Sequence, residues 1–152
     1  MDRLADTGLR VHLAVSLHGP DDATRSRLVP TNRPGQVETL IAAAIRYARR
    51  TGRDATVEYV LIEGENDRPE HATALARLLA GRHVHLNLIP LNPIEHRADL
   101  RAPSGVAAAA FARRVEEAGA SVTLRSRRGD DIDAACGQLA LKRTLGEATG
   151  EV

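Results

Sequence analysis

The sequence predicts an α/β fold: about four parallel strands alternating with helices, roughly half of an eightfold βα barrel of the TIM type, with a short C-terminal extension. Three observations lead there. Strand-like and helix-like segments alternate four times, the order that produces a parallel sheet with helices packed on it. The 152 residues suit one domain, whereas a complete barrel takes about 250. Hydrophobic residues make up 43% and charged residues 27%, the balance of a globular chain with a core of its own.

The elements follow in order. Behind a short polar lead, VHLAVSL (11–17) alternates and runs apolar, as a buried strand does. HGPDD is a turn, and Asp21 or Asp22 can cap a short helix through Arg27 that stops before Pro30. After the loop TNRPGQ, the residues Val37, Leu40, Ile41, Ala44 and Ala48 fall at helical spacing, and Thr51-Gly52 ends that helix. ATVEYVLIEG (55–64) is rich in β-branched residues and reads as the second strand. Asp67 stands as the cap of the next helix, with Pro69 in its first turn and Glu70 placed for a capping box. HVHLNLIPLNP (83–93) reads as a third strand ended by prolines. APSGVAAAAFARRVEEAG reads as a helix with Ser104 at its cap and Gly119 as its stop, and ASVTLRS (120–126) as a fourth strand. Residues 136–152 read as a short helix and a polar tail.

Composition excludes several classes. Aromatic residues are only 2% and tryptophan is absent, so the core is aliphatic and base-stacking platforms are disfavoured. The net charge of +1 confines any nucleic-acid binding to a local patch. The single cysteine, Cys136, rules out an internal disulfide and a cysteine-only metal site. There is no signal peptide and no membrane-length apolar run, which places the expectation in the cytosol.

Parallel α/β folds bind ligands beyond the carboxyl ends of their strands. Those ends read Ser16-Leu17-His18, Glu63 to Asn66, Pro90 to Pro93 and Arg125 to Asp131, a polar rim. Ser16 and His18 flank Leu17 and, by strand alternation, share a face; they either hydrogen-bond a ligand or cap the following turn. Asn92, held extended by Pro93, is either a turn residue or a carboxamide presented to a ligand. His83, His85 and His96 invite a zinc reading against a plainer one as solvated histidines. Arg125, Arg127 and Arg128 contact phosphates, pair with Asp130 and Asp131, or are simply solvated. Cys136 is either a small buried hydrophobe or a reactive thiol activated by nearby arginines, with Asp130, Asp131 and Asp133 opposing the thiolate.

SLHGPDD, RLVPTNR, VEYVLIEGENDRPEHA, LNLIPLNP and above all RGDDIDAACGQL together resemble the C-terminal part of the RlmN/Cfr family of radical S-adenosylmethionine (radical-SAM) RNA methyltransferases. The match runs in order along almost the whole chain, and GDDIDAACGQL is nearer the branch that methylates carbon-2 of adenine. The resemblance implies a partial radical-SAM barrel in residues 1–135 and a methyl-carrier motif with its tail in 136–152. It implies that Ser16, Leu17, His18 and Asn92 contact S-adenosylmethionine and that Cys136 carries the methyl group. In the family a second S-adenosylmethionine, cleaved at a [4Fe–4S] cluster fed by a reductant protein, yields the radical that activates that methyl. The implied substrates are 23S rRNA and, in bacteria, some tRNAs. The family's three-cysteine cluster motif and its resolving cysteine are absent from this chain. The expectation is therefore a fragment that ligates no cluster, needs the first half or a complementary subunit, and is inactive alone. The other reading is a non-catalytic RNA-binding or accessory remnant. A stand-alone thiol enzyme using Cys136 with His18 is a third. The first strand, left at an edge, is expected to drive association.

Overall fold

A computed structural model describes residues 1–94 and 97–125; the expectations for His96, Arg127, Arg128, the three aspartates at 130, 131 and 133, Cys136 and the 136–152 tail fall outside the described residues. The elements are α1 (Asp2–Asp6), β1 (Leu13–Ser16), α2 (Asp22–Leu28), α3 (Gln36–Thr51), β2 (Ala55–Leu61), α4 (Pro69–Leu79), β3 (Val84–Pro90), α5 (Gly105–Glu117) and β4 (Ser121–Leu124). The four strands form one parallel sheet in sequence order, with β1 and β4 at its edges. This open βα array is the expected partial barrel. The added element is α1, hidden in the polar lead. It docks on α3 through Asp2 and Asp6, which pair with Arg46 and Arg50.

The helix boundaries follow from their caps. Asp21 accepts the Thr24 N–H at 2.7 Å, starting α2, and Ser104 accepts the Ala107 N–H at 3.1 Å, starting α5. Gly52 ends α3 in the left-handed region at φ 65°. One cap differs from expectation. The N-cap of α4 is Arg68, and the side chain three residues on is His71, whose Nδ1 accepts the Arg68 N–H at 3.3 Å. Asp67 instead accepts the Gly64 N–H at 2.9 Å. The turn after β2 thus claims the carboxylate that the helix pattern had assigned to α4.

The strands are one-sided, which the apolar runs concealed. In β2, Ala55, Val57, Tyr59 and Leu61 are buried and the alternate residues are half-exposed. Ala55 packs with Val15, Ala44 and Ala48 in a smaller cluster, while Val57, Tyr59 and Leu61 meet Leu75 and Leu79 of α4, Ile41 and Ile45 of α3, and Phe111 and Val115 of α5 in the main core. Tyr59 and Phe111, with ring centroids 6.0 Å apart, stack within it. The opposite face is polar and layered by register: Ala14, Thr56, His85 and Ser121 in one row, then Ser16, Glu58, Asn87 and Thr123 in the next. These rows lie where the inside of a closed barrel would be.

Candidate functional site

The rim begins where β1 ends. The ladder runs one step beyond the strand, with the Leu17 N–H donating to the Glu58 carbonyl at 2.9 Å. A parallel ladder would next give the Val60 N–H to the Leu17 carbonyl. Instead His18 turns into the left-handed region at φ 58°, and its Nδ1 accepts the Val60 N–H at 3.1 Å. This leaves the Leu17 carbonyl out of the ladder. It also fixes the neutral ring as the tautomer with its proton on Nε2, which has no partner among the described residues. Burial, reinforced by the Arg25 charge and opposed by Glu58, holds His18 below the ordinary histidine value. The ring at neutral pH is a neutral Nε2–H donor.

Two side chains grip this turn from opposite sides. Arg25, itself buried, donates Nη2 to the Ser16 carbonyl at 3.2 Å and Nη1 to Asn32 Oδ1 at 2.7 Å. Asn66, with no exposed surface, donates Nδ2 to the His18 carbonyl at 2.9 Å and to the Val60 carbonyl at 2.7 Å. Its Oδ1 accepts the Ile62 N–H at 2.8 Å. The fit is tight around Gly19, where a Cβ would stand 2.5 Å from the Arg25 nitrogen.

The loop RLVPTNR is tied to the same turn. Asp22 accepts from the backbone of Gly35 at 2.5 Å and of Val37 at 3.1 Å, and Asn32 Nδ2 donates to it at 3.3 Å. The Val37 N–H above all, together with these donors, holds the Asp22 carboxyl below the usual range. Arg27 reaches the Glu65 carbonyl at 3.2 Å and so ties α2 to the turn after β2.

The structure places the expected rim residues as follows. Ser16 has an exposed side chain on the polar face, in register with Glu58. Leu17, backbone included, has no exposed surface and packs in the core. His18 does not simply continue the alternation with Ser16, because its backbone turns and the ring folds back on β2. Asn92 is exposed beyond β3, where the Leu91 N–H still donates to the Leu61 carbonyl at 3.0 Å. Two strand spacings, about 10 Å, separate β1 from β3, so Ser16 and Asn92 flank β2 rather than touch. Asn66, read as a rim residue, is a buried strut. Sequence reasoning missed Glu58 and Asn87, which share two hydrogen bonds, Asn87 Nδ2 reaching the two carboxylate oxygens at 3.0 and 3.2 Å. Their alternation in TVEYV and HLNLI was the available signal.

His83 is exposed, and His85 bridges Ser121 Oγ at 2.8 Å and Thr123 Oγ1 at 3.0 Å. Among the described residues no three His, Cys, Asp or Glu side chains gather as a metal site. A cleft of about 360 Å³ lined by Arg10, Arg50 and Arg53 lies at the opposite, amino-terminal end of the strands, away from the rim.

This fold and sequence are those of the radical-SAM methyltransferase class. A crystal structure of a radical SAM methyltransferase from Sphaerobacter thermophilus superposes with a TM-score of 0.83 at 50% identity, covering 90% of this chain and 40% of that one. A domain of a pyruvate-formate lyase-activating enzyme from Bacteroides vulgatus shares the fold alone, with a TM-score of 0.64 at 16% identity over 83% of this chain and 75% of that one. Within the class, the chain corresponds to the C-terminal part of the RlmN-type methyltransferases. Relatives named "Probable dual-specificity RNA methyltransferase RlmN" are 48% identical over 98% of the chain in Rhodopirellula baltica and 54% identical over 92% in Frankia alni. The chain spans 40% and 33% of their respective lengths. No protein-family model matches it.

Proposed function

We propose that the chain supplies one wall of the S-adenosylmethionine pocket and the methyl-accepting thiol of an RNA adenine carbon-2 methyltransferase, acting on 23S rRNA and tRNA in the cytoplasm. The observation that carries this reading is the rim at the end of β1. There a neutral imidazole donor on His18 follows the exposed hydroxyl of Ser16, which can both donate and accept. That set suits an adenosine and an aminocarboxylate, which need donors and acceptors together. Ser16, the His18 Nε2–H and the Asn92 carboxamide would hold the cofactor, with Leu17 anchoring their turn in the core. When bound, it supplies the methyl group. Held by the rim, it would be oriented for the Cys136 thiolate to take that methyl, and the proton must leave the thiol first.

The chain's residues do not fit an iron–sulfur cluster: one cysteine cannot provide the three thiolates of the family motif. Turnover therefore depends on an upstream segment or a complementary subunit that brings them, and on a reductant. The residues 1–135 and 136–152 divide this work between barrel wall and methyl carrier. The second reading, an RNA-binding accessory without chemistry, rests on that same lone cysteine.

The test is complementation. The chain is co-expressed with the N-terminal part of a relative, and the peptide containing Cys136 is analysed by mass spectrometry. One added methyl on Cys136, lost in Cys136→Ala and in the absence of the complementary part, is the expected result. RNA binding by the chain with an unmodified thiol under all conditions would instead favour the accessory reading. Ser16→Ala and Asn92→Ala are each expected to weaken S-adenosylmethionine binding by about three- to tenfold, the worth of one hydrogen bond, as measured by calorimetry on the complemented protein.

A further inference from the structure

Asn66 makes more use of its side chain than a buried turn residue needs. Three hydrogen bonds satisfy the carboxamide: Oδ1 takes the Ile62 N–H, while Nδ2 serves two carbonyls, those of His18 and Val60. The partner identities fix the orientation, because the exchanged amide would set a donor against a donor and an acceptor against two acceptors. A third group anchors its backbone, the Tyr59 hydroxyl donating to the Asn66 carbonyl at 2.9 Å from inside the core. Asn66 thus joins β2, the turn after β2 and the end of β1 at one point.

That point controls a residue in an unfavourable backbone region. His18 is the only non-glycine residue with positive φ among the described residues, and a side chain there opposes the backbone sterically. Asn66 holds the carbonyl on one side of this kink. The Val60 N–H, accepted by the ring, holds the other, and the Val60 carbonyl belongs to Asn66. A single carboxamide therefore braces both ends of the imidazole's attachment.

We propose that Asn66 is a positioning residue: it keeps His18 in its left-handed kink, and so sets the direction of the Nε2–H toward the S-adenosylmethionine rim. The last clause rests on the proposed function; the brace itself does not. Asn66→Asp tests the brace, because it keeps size and the acceptor for Ile62 but loses both Nδ2 donations.

The readout is nitrogen-detected NMR of the imidazoles in the full chain, with His18 assigned through His18→Gln. The wild-type ring is expected as a single Nε2–H tautomer with an unprotonated Nδ1. In Asn66→Asp it is expected to become a mixture of tautomers. Tyr59→Phe, which frees only the Asn66 backbone, is expected to shift His18 partway in the same direction and stands in should Asn66→Asp fail to fold. Leu79→Ala, a core truncation remote from the turn, is expected to lower stability while leaving the His18 signature unchanged. A wild-type tautomer retained in a folded Asn66→Asp chain, or in Tyr59→Phe where Asn66→Asp does not fold, would overturn the proposal. So would an equal disturbance of His18 by Leu79→Ala. In the complemented protein, Asn66→Asp is expected to weaken S-adenosylmethionine binding about tenfold. If the wild-type complex binds none of it, the cofactor reading falls and the ring signature still decides the brace.

Discussion

His18 divides its ring between two tasks in the structure. Its Nδ1 completes a backbone ladder, which leaves Nε2–H as a donor without a partner among the described residues. Its proton affinity is lowered by burial first and by Arg25 second. The sign of the pH dependence follows. Between the ordinary value of 6.5 and the lower native value, the unfolded chain binds the proton and the folded chain does not. This contribution to stability is complete above about pH 6.5 and is lost as pH falls through the native value. Urea midpoints measured from pH 7.5 down to 5 are expected to fall in the wild type and to fall less in His18→Gln. Sequence reading placed Ser16, His18 and Asn92 at strand ends, where the structure has them. It could not find the His18 kink or the Asn66 brace, since alternation predicts a continuing strand and a buried asparagine reveals itself only through its partners.

Among the elements, the β1–α2 connection is the most constrained. Gly19 meets Arg25 closely enough that any side chain must displace the first turn of α2. Gly19→Ala is expected to cost about 1–3 kcal/mol, the range of overpacked sites, and to raise the exchange rates of amides in Ser16 to Arg25 before those of β2. Leu79→Ala, with a fully buried side chain beneath β2 and β3, is expected to cost about 2–5 kcal/mol, read as a lower thermal midpoint. Strand and helix order was legible from periodicity, and most caps from their serine, aspartate or glycine. The α4 cap was not, because Asp67 faces two competing demands and the tighter turn wins. The α1 helix was hidden for another reason. With five residues it is too short to stand on periodicity and depends on the α3 arginines for its place.

At the scale of the whole molecule, the sheet of the described residues ends at β1 and β4, whose outer backbone edges pair with no described strand. Such an edge is a template for another strand. Sedimentation of the isolated chain is expected to show concentration-dependent association that the complementary part suppresses; a monodisperse monomer at all concentrations would count against it. The apolar look of VHLAVSL does not itself create the hazard, since Val15 and Leu17 are buried against the helices while Ala14 and Ser16 occupy the open face. No helix among the described residues is long and apolar enough to cross a membrane. Four βα alternations made the partial barrel readable, and the resemblance gave its class. The chemical character of the open face was not read, although Thr56-Glu58 and His85-Asn87 spell it out at alternate positions.

That open face has a consequence for how such a protein can be divided. Glu58 is already matched to Asn87, and His85 to Ser121 and Thr123. Its side chains come to the seam with their bonding needs largely met and with water as an acceptable neighbour. A cut through an oily core would leave two sticky halves, each prone to collapse on itself before meeting the other. A cut along this seam exposes a wettable surface, leaving the strand edges rather than the face as the part to guard. Split reporters and two-gene versions of such a protein should therefore be easier to make here than by dividing the helix layer.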